Sequence, residues 1–157
     1  MLELEKGKIL ISEPYIADDN FFRSVILIAN YDKEEGAVGF MLNQITDATL
    51  EDVILSENFP AIPLYDGGPV ELDSLFFIHT IPGLQEDSVL IKDQLYWGGN
   101  FDLLAPSILE GSVTEENIKL FIGYSGWEAG QLEAEINAGS WFVSDLDIED
   151  VINASDD

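Results

Sequence analysis

Cysteine is absent from this 157-residue chain, and histidine occurs once, at His79. The lack of cysteine excludes disulfides, thiolate nucleophiles and Cys-ligated zinc or iron–sulfur sites within the sequence. A single histidine also excludes metal sites that are built from several imidazole groups. The sequence therefore predicts no metal site and no cofactor.

Basic residues are scarce: six lysines and arginines stand against 31 aspartates and glutamates, which gives a formal net charge of −25. Nucleic acids and anionic membrane surfaces are bound through clustered cations. We therefore expect neither as a direct partner. Such a charge favours solubility and suits basic proteins or divalent cations as partners. Alternatively, it reflects adaptation to a high-salt cytoplasm, which is the interpretation we favour for the charge itself.

Long hydrophobic runs are also missing. No apolar segment approaches the roughly 20 residues that cross a bilayer. Residues 1–8 (MLELEKGK) mix acids with lysines and lack the apolar stretch of a signal peptide. We therefore expect a cytoplasmic protein. A hydrophobic content of 46% and the length of the chain are typical of one folded domain.

Short apolar segments separated by turn residues recur along the chain and predict about eight strands. These segments are residues 7–12, 21–30, 37–43, 74–80, 88–91, 94–97, 118–124 and 141–143. Helices are predicted at residues 49–52, with Thr49 as the N-cap, and at residues 101–109 and 129–138.

The predicted strands are joined by tight turns, which favours antiparallel pairing. Many are apolar on both faces, so helices or a second sheet must cover them. The sequence therefore predicts a single α+β domain, with a mainly antiparallel, bent or barrel-like sheet and three to four helices packed on it. We expect this domain to span residues 1–143. Residues 144–157 are acidic and weakly periodic, and we expect this segment to be partly frayed.

Six motifs in order resemble the AlgH/YqgE family of bacterial proteins. They are residues 7–14 (GKILISEP), 21–27 (FFRSVIL), 36–43 (GAVGFMLN), 67–70 (GGPV), 77–79 (FIH) and 123–135 (GYSGWEAGQLEAE), with Trp141 following. Each motif is weak alone, whereas the ordered set is specific and covers nearly the whole chain. The resemblance implies an α+β domain of unassigned activity. Some members carry the label of transcriptional regulator, but the charge of this chain contradicts direct contact with DNA.

The chain departs from the family pattern in two places. Residues 30–32 (NYD) stand where members often have a histidine. Members also usually continue beyond the tryptophan strand with a further strand and helix, which this chain lacks or replaces with its acidic end.

Ser125 invites comparison with the nucleophile elbow of hydrolases, G-x-S-x-G. The second glycine comes one position early, so the motif fails. A triad of Ser125, His79 and Asp73 stays open, because triads are defined by geometry rather than by sequence spacing. A lone histidine in an apolar strand is more often a hydrogen-bonded core residue, and we favour that interpretation.

Three other segments suggest ligand sites but fit better as ordinary structure. Residues 67–69 (GGP) and 97–100 (WGGN) offer backbone amides to an anion, yet they match no phosphate-binding fingerprint and are typical of turns. Residues 145–150 (DLDIED) are acidic, yet they do not match the calcium-loop pattern.

Polar residues within the family motifs supply the candidate binding site. We hypothesise that five of them converge on one polar pocket: Asn43, His79, Ser125, Gln131 and Glu135. No catalytic residue is predicted. The favoured function is a non-enzymatic interaction or regulatory module that acts through a protein partner. The alternative is a small-ligand-binding protein or enzyme that uses a pocket around His79 and residues 123–135.

Overall fold

The structure is a computed structural model, and it describes residues 4–12, 24–54, 58–81, 88–98, 101–145 and 147–153. Within these residues there are ten strands and four helices. The strands are β1 Ile9–Ser12, β2 Val25–Asp32, β3 Gly36–Met41, β4 Ile45–Thr49, β5 Pro63–Asp66, β6 Val70–His79, β7 Val89–Lys92, β8 Leu95–Trp97, β9 Ile118–Trp127 and β10 Trp141–Ser144. The helices are α1 Leu50–Val53, α2 Phe101–Glu110, α3 Gln131–Asn137 and α4 Ile148–Asn153. None of the helices in the described part of the chain is long and apolar enough to cross a membrane.

The strands form one sheet in the order β10-β1-β2-β3-β9-β6-β8-β7, and β5 lies beside β9 and pairs with β4. Neighbours along the main path are antiparallel. The pair of β5 and β9 is parallel. The predicted single α+β domain with a mainly antiparallel sheet is therefore confirmed.

A central core lies on the inner face of the bent sheet. It joins residues from strands far apart in this order, including Ile9 of β1, Phe40 of β3 and Ile91 of β7. Phe40 stacks on Phe121 of β9 with ring centroids 4.8 Å apart. Because these distant strands share one cluster, the sheet must curve around it rather than lie flat.

The outer face of the sheet carries two further cores, each covered by helices. The α2-side core includes Phe77, Leu104 and Leu120, and the α3-side core includes Ile26 and Leu132. Side chains alternate between faces along a strand, so adjacent residues such as Leu120 and Phe121 belong to different cores. The expectation that helices cover strands with two apolar faces is confirmed.

The short helix α1 begins as the sequence predicts. Thr49 and Asp52 form a capping box, and the Asp52 carboxylate accepts the Thr49 backbone N–H at 2.8 Å. The helix α2 contains Pro106 in its interior, although proline fits the first turn of a helix better. Residues 21–23 of the second predicted strand lie outside the described residues.

Helix α4 occupies a segment for which the sequence predicts no regular element. Val151 and Ile152 are buried in the central core. Lys119 of β9 is 2% exposed, its ammonium lies 3.9 Å above the centre of the Tyr65 ring, and it donates to the Ile152 carbonyl at 3.4 Å. A cation at the last carbonyls of a helix interacts favourably with the negative end of the helix dipole, so Lys119 ties α4 to the sheet. The expected domain boundary at residue 143 stays a prediction, and residues 154–157 lie outside the described residues.

Strand β9 changes its facing pattern at Gly123. Phe121 and Tyr124 both pack on the central core, although residues three apart on a regular strand face opposite sides. Gly123 lies between them with a φ of +75°, and this departure from the extended backbone breaks the regular alternation of faces. A Cβ atom at this position would lie 2.5 Å from the Gly68 carbonyl oxygen. Both the backbone conformation and the close approach therefore require glycine here.

Replacing Gly123 with alanine should lower the free energy of unfolding by about 3 kcal/mol, because backbone strain and the clash with the Gly68 carbonyl add up. Gly139→Ala is the matched control, since Gly139 has a similar φ of +85° and no atom within 4 Å of the added Cβ. The control should lose only about 1 kcal/mol, from strain alone. Urea denaturation of both variants measures the difference, and equal losses would contradict the role of the close approach.

Candidate functional site

His79 is the last residue of β6 and is fully buried. Its Nδ1 accepts the backbone N–H of Ile81 at 3.1 Å. In the neutral ring Nε2 then carries the proton and donates to Ser88 Oγ at 2.7 Å. Ser88 Oγ in turn donates to the Gly98 carbonyl at 3.2 Å. Both ring nitrogens are therefore held by internal hydrogen bonds, as in the core-histidine interpretation.

Ser125 is fully buried in β9, and its hydroxyl donates to the Gly67 carbonyl at 3.1 Å. His79 pairs with Ile118, the first residue of the same strand. Ile118 and Ser125 are seven positions apart on β9, which is roughly 23 Å at about 3.3 Å per residue. The structure therefore keeps Ser125 and His79 apart.

The backbone of residues 67–68 packs tightly against β9. Gly67 donates its N–H to the Ile122 carbonyl at 2.9 Å, and Gly68 donates to Asp66 Oδ1 at 3.1 Å. A Cβ atom on Gly68 would lie 2.2 Å from the carbonyl carbon of Tyr124. These amides serve the fold, which supports the turn interpretation of this segment. Residues 99–100 of the second glycine pair lie outside the described residues.

Glu135 of α3 joins two buried indole rings. Its Oε1 accepts the Nε1–H groups of Trp127 at 3.0 Å and Trp141 at 2.9 Å. Its Oε2 accepts Gln131 Nε2 at 3.0 Å, and Gln131 Oε1 accepts the backbone N–H of Glu128 at 2.9 Å. This network fixes α3 onto the end of β9 and onto β10. The sequence places each of these residues in a motif, but it does not show that they meet.

Asn43 follows β3, and its Oδ1 accepts the backbone N–H of Val25 at 3.0 Å. The structure thus brings two of the five predicted site residues into direct contact, Gln131 and Glu135. Asn43, His79 and Ser125 are held in separate internal contacts. Ligand binding by these five residues stays a prediction.

A groove of about 560 Å³ lies where β2, β3 and β9 meet the start of α3. Its half-buried lining is small or apolar and consists of Gly36, Val38, Val70, Tyr124 and Gly126. Its exposed rim is polar and consists of Asn30, Asp32, Glu35, Glu128 and Gln131. Among the five predicted site residues, only Gln131 belongs to the described lining of this groove.

The acidic rim of the groove differs from a metal site. Among the described residues, no group of three or more histidine, aspartate or glutamate side chains is close enough to hold a metal ion. Asp32 Oδ1 accepts the backbone N–H of Glu34 at 2.7 Å within its own turn. The groove therefore offers an apolar surface with negative charge around it, rather than converging ligands.

The pKa of His79 should lie below its ordinary value of 6.5, because burial disfavours the charged ring. The unfolded chain then binds the proton more readily than the folded protein. The stability that His79 contributes is present above pH 6.5 and is lost as the pH falls towards the lower folded value. Because the chain has one histidine, an NMR pH titration reports it directly. A midpoint at or above 6.5 would contradict its burial.

Glu135→Ala should lower the free energy of unfolding by about 2–4 kcal/mol, because it removes the acceptor that two buried indole N–H groups share. Glu110→Ala is the matched control, since Glu110 is exposed at the end of α2. The control should change stability by no more than about 0.5 kcal/mol. Guanidinium unfolding followed by tryptophan fluorescence measures both variants, and a loss at Glu135 as small as that of the control would refute the bridging role.

Known proteins resemble this chain over nearly its whole length. A family model described as AlgH-like (DUF179) matches residues 9–157. A UPF0301 protein of Cytophaga hutchinsonii is 46% identical over 149 residues, which cover 94% of this chain and 81% of that protein. A UPF0301 protein of Parabacteroides distasonis is 41% identical over 151 residues, covering 95% and 76%.

Two solved structures share the fold. The solution structure of the AlgH protein from Pseudomonas aeruginosa superposes with a TM-score of 0.77 at 29% identity, and the match covers 94% of this chain and 80% of that one. A crystal structure of protein DIP2367 from Corynebacterium diphtheriae gives 0.79 at 26% identity, covering 98% and 82%. With the family model, the relatives and the fold in agreement, the chain belongs to the AlgH-like family.

Proposed function

We propose that this protein is a non-enzymatic module that acts in the cytoplasm by binding a basic protein partner. The proposal rests on one observation: the polar residues of its motifs make their hydrogen bonds inside the protein. His79 and Ser125 are fully buried, and each is hydrogen-bonded within the protein. Glu135 accepts hydrogen bonds from two indoles and an amide. These groups support the fold, which leaves the surface to carry the function.

The charge of the surface supports a basic partner. The chain has a formal net charge of −25, and the acidic residues of the β2–β3 turn and of the segment before α3 are exposed. A field of this sign speeds the approach of cationic proteins and repels nucleic acid. It acts within about 8–10 Å at physiological ionic strength, so such binding weakens as salt is added. Any effect on transcription would be indirect.

A second candidate function is the binding of a small ligand near residues 123–135. The observation that favours it is the groove, whose volume of about 560 Å³ falls within the range of ligand sites, about 300–1,000 Å³. Its polar groups lie mainly on the exposed rim. A small ligand would therefore be poorly enclosed, and we rank this function second.

Chemical crosslinking in the native host, followed by affinity purification and mass spectrometry, tests the first function. We expect a small set of basic proteins, which is lost when cells are lysed in about 0.5 M potassium chloride before crosslinking. An unrelated acidic protein of similar net charge is the control, because it captures whatever binds to charge alone. The proposal fails if the two proteins capture the same set.

Thermal unfolding with a panel of nucleotides, sugars, metabolites and divalent cations tests the second function. A ligand at 100 times its dissociation constant adds about 2.7 kcal/mol and raises Tm by several degrees. A selective rise that Gln131→Ala abolishes would establish ligand binding. The first function predicts that any rise follows ionic strength alone.

A further inference from the structure

We propose, resting on the function above, that the groove docks an extended segment of the partner protein that carries lysine or arginine next to small apolar residues. The segment would lie across the ends of β3 and β9. Its basic side chains would reach the rim. Two independent observations support this docking site: the glycine at position 126 and the chemistry of the groove lining.

Gly126 is the first reason, because its backbone does not require glycine and an added Cβ atom would displace only the Tyr124 side chain, by a few tenths of an ångström. Its φ is not among the positive values of the chain. A Cβ atom there would meet only side-chain atoms, Tyr124 Cε2 at 3.3 Å and Val70 Cγ2 at 3.9 Å. At Gly39, on the neighbouring strand, a Cβ would instead lie 2.8 Å from the Leu27 carbonyl oxygen. Glycine at position 126 therefore keeps the groove open rather than permitting the fold.

The layered chemistry of the groove is the second reason. Val38, Val70 and Tyr124 offer apolar surface below an exposed rim that contains Asp32, Glu35 and Glu128. Among the described lining residues none is basic. Lysine and arginine have the matching shape, since their apolar stems cover hydrophobic surface while the charged heads stay at the solvent. The half-buried ring of Tyr124 also provides an aromatic face for a cation.

The charge of the rim also favours a basic protein segment over a second copy of this chain as the occupant of the groove. A second copy of this chain would bring another formal charge of −25 to an acidic rim, so self-association here is disfavoured. A free metal ion lacks converging ligands among the described residues. A basic protein segment satisfies both the apolar lining and the acidic rim. The groove is open, so an extended chain can enter along its length.

The probe is a blocked peptide of about eight residues that alternates lysine and valine, with a glutamate–valine peptide as the negative control. Isothermal titration at low salt gives Kd for the whole protein. NMR chemical shifts of the backbone amides locate the site. We expect the largest shifts at Val38, Gly126 and Gln131, and no binding of the glutamate peptide.

Two kinds of variant test the groove. Gly126→Leu fills it and should weaken peptide binding by about tenfold or more. The triple variant Asp32→Asn, Glu35→Gln, Glu128→Gln removes three rim charges and should weaken binding to a similar degree. The matched control removes three exposed charges elsewhere: Glu51→Gln, Glu110→Gln and Glu115→Gln. This control should weaken binding by no more than about threefold, through the general field alone.

The groove proposal is overturned if both triple variants lose affinity equally, or if the peptide shifts amides outside the groove. It is also overturned if spermine binds as tightly as the peptide and loses affinity in the same variants, because the occupant would then be a small polyamine. Failure here is distinguishable from failure of the proposed function. If Gly126→Leu still captures the same basic proteins in the crosslinking experiment, the interaction module stands and the groove is the wrong surface.

Discussion

The close backbone approach between Gly123 and residues 67–68 leaves no room for a Cβ atom on either side. It allows β9 to change face within one strand. The first part of β9 then places Phe121 in the central core, and the last part places Trp127 in the α3-side core. One strand thus serves all three hydrophobic cores. The motifs at residues 67–70 and 123–127 are two sides of this contact, which explains Gly67, Gly68 and Gly123 without a ligand.

Strand β9 carries residues that stabilise the fold and also a residue that faces the candidate binding groove. Ser125 and Trp127 point into the protein and are held by Gly67 and Glu135. Gly126, between them, faces the groove. Alternation along a strand therefore gives the segment both roles. The polar residues that suggest catalysis are largely structural, and the residue that shapes the candidate interface has no side chain at all.

Much of the fold was predictable because its signals are local. Apolar strands and the Thr49–Asp52 capping box follow from neighbouring residues. Helix α4 is not evident from the sequence, because its segment is acidic and weakly periodic, and its contacts with the central core and with Lys119 come from distant strands. The Glu135 network is also not evident from the sequence, since its partners meet only after β9, α3 and β10 assemble. Predicting the groove requires knowing which glycines the fold itself needs. The sequence alone does not distinguish Gly123, which the backbone requires, from Gly126, which it does not.

The most direct test compares these two glycines in one experiment. Unfolding free energy and affinity for the lysine–valine peptide are measured on Gly123→Ala and Gly126→Leu under the same conditions. We expect opposite effects: Gly123→Ala loses stability and keeps its affinity while folded, whereas Gly126→Leu keeps most of its stability and loses affinity. If both variants lose stability and affinity in parallel, residues 123–127 have no binding face separate from their structural role.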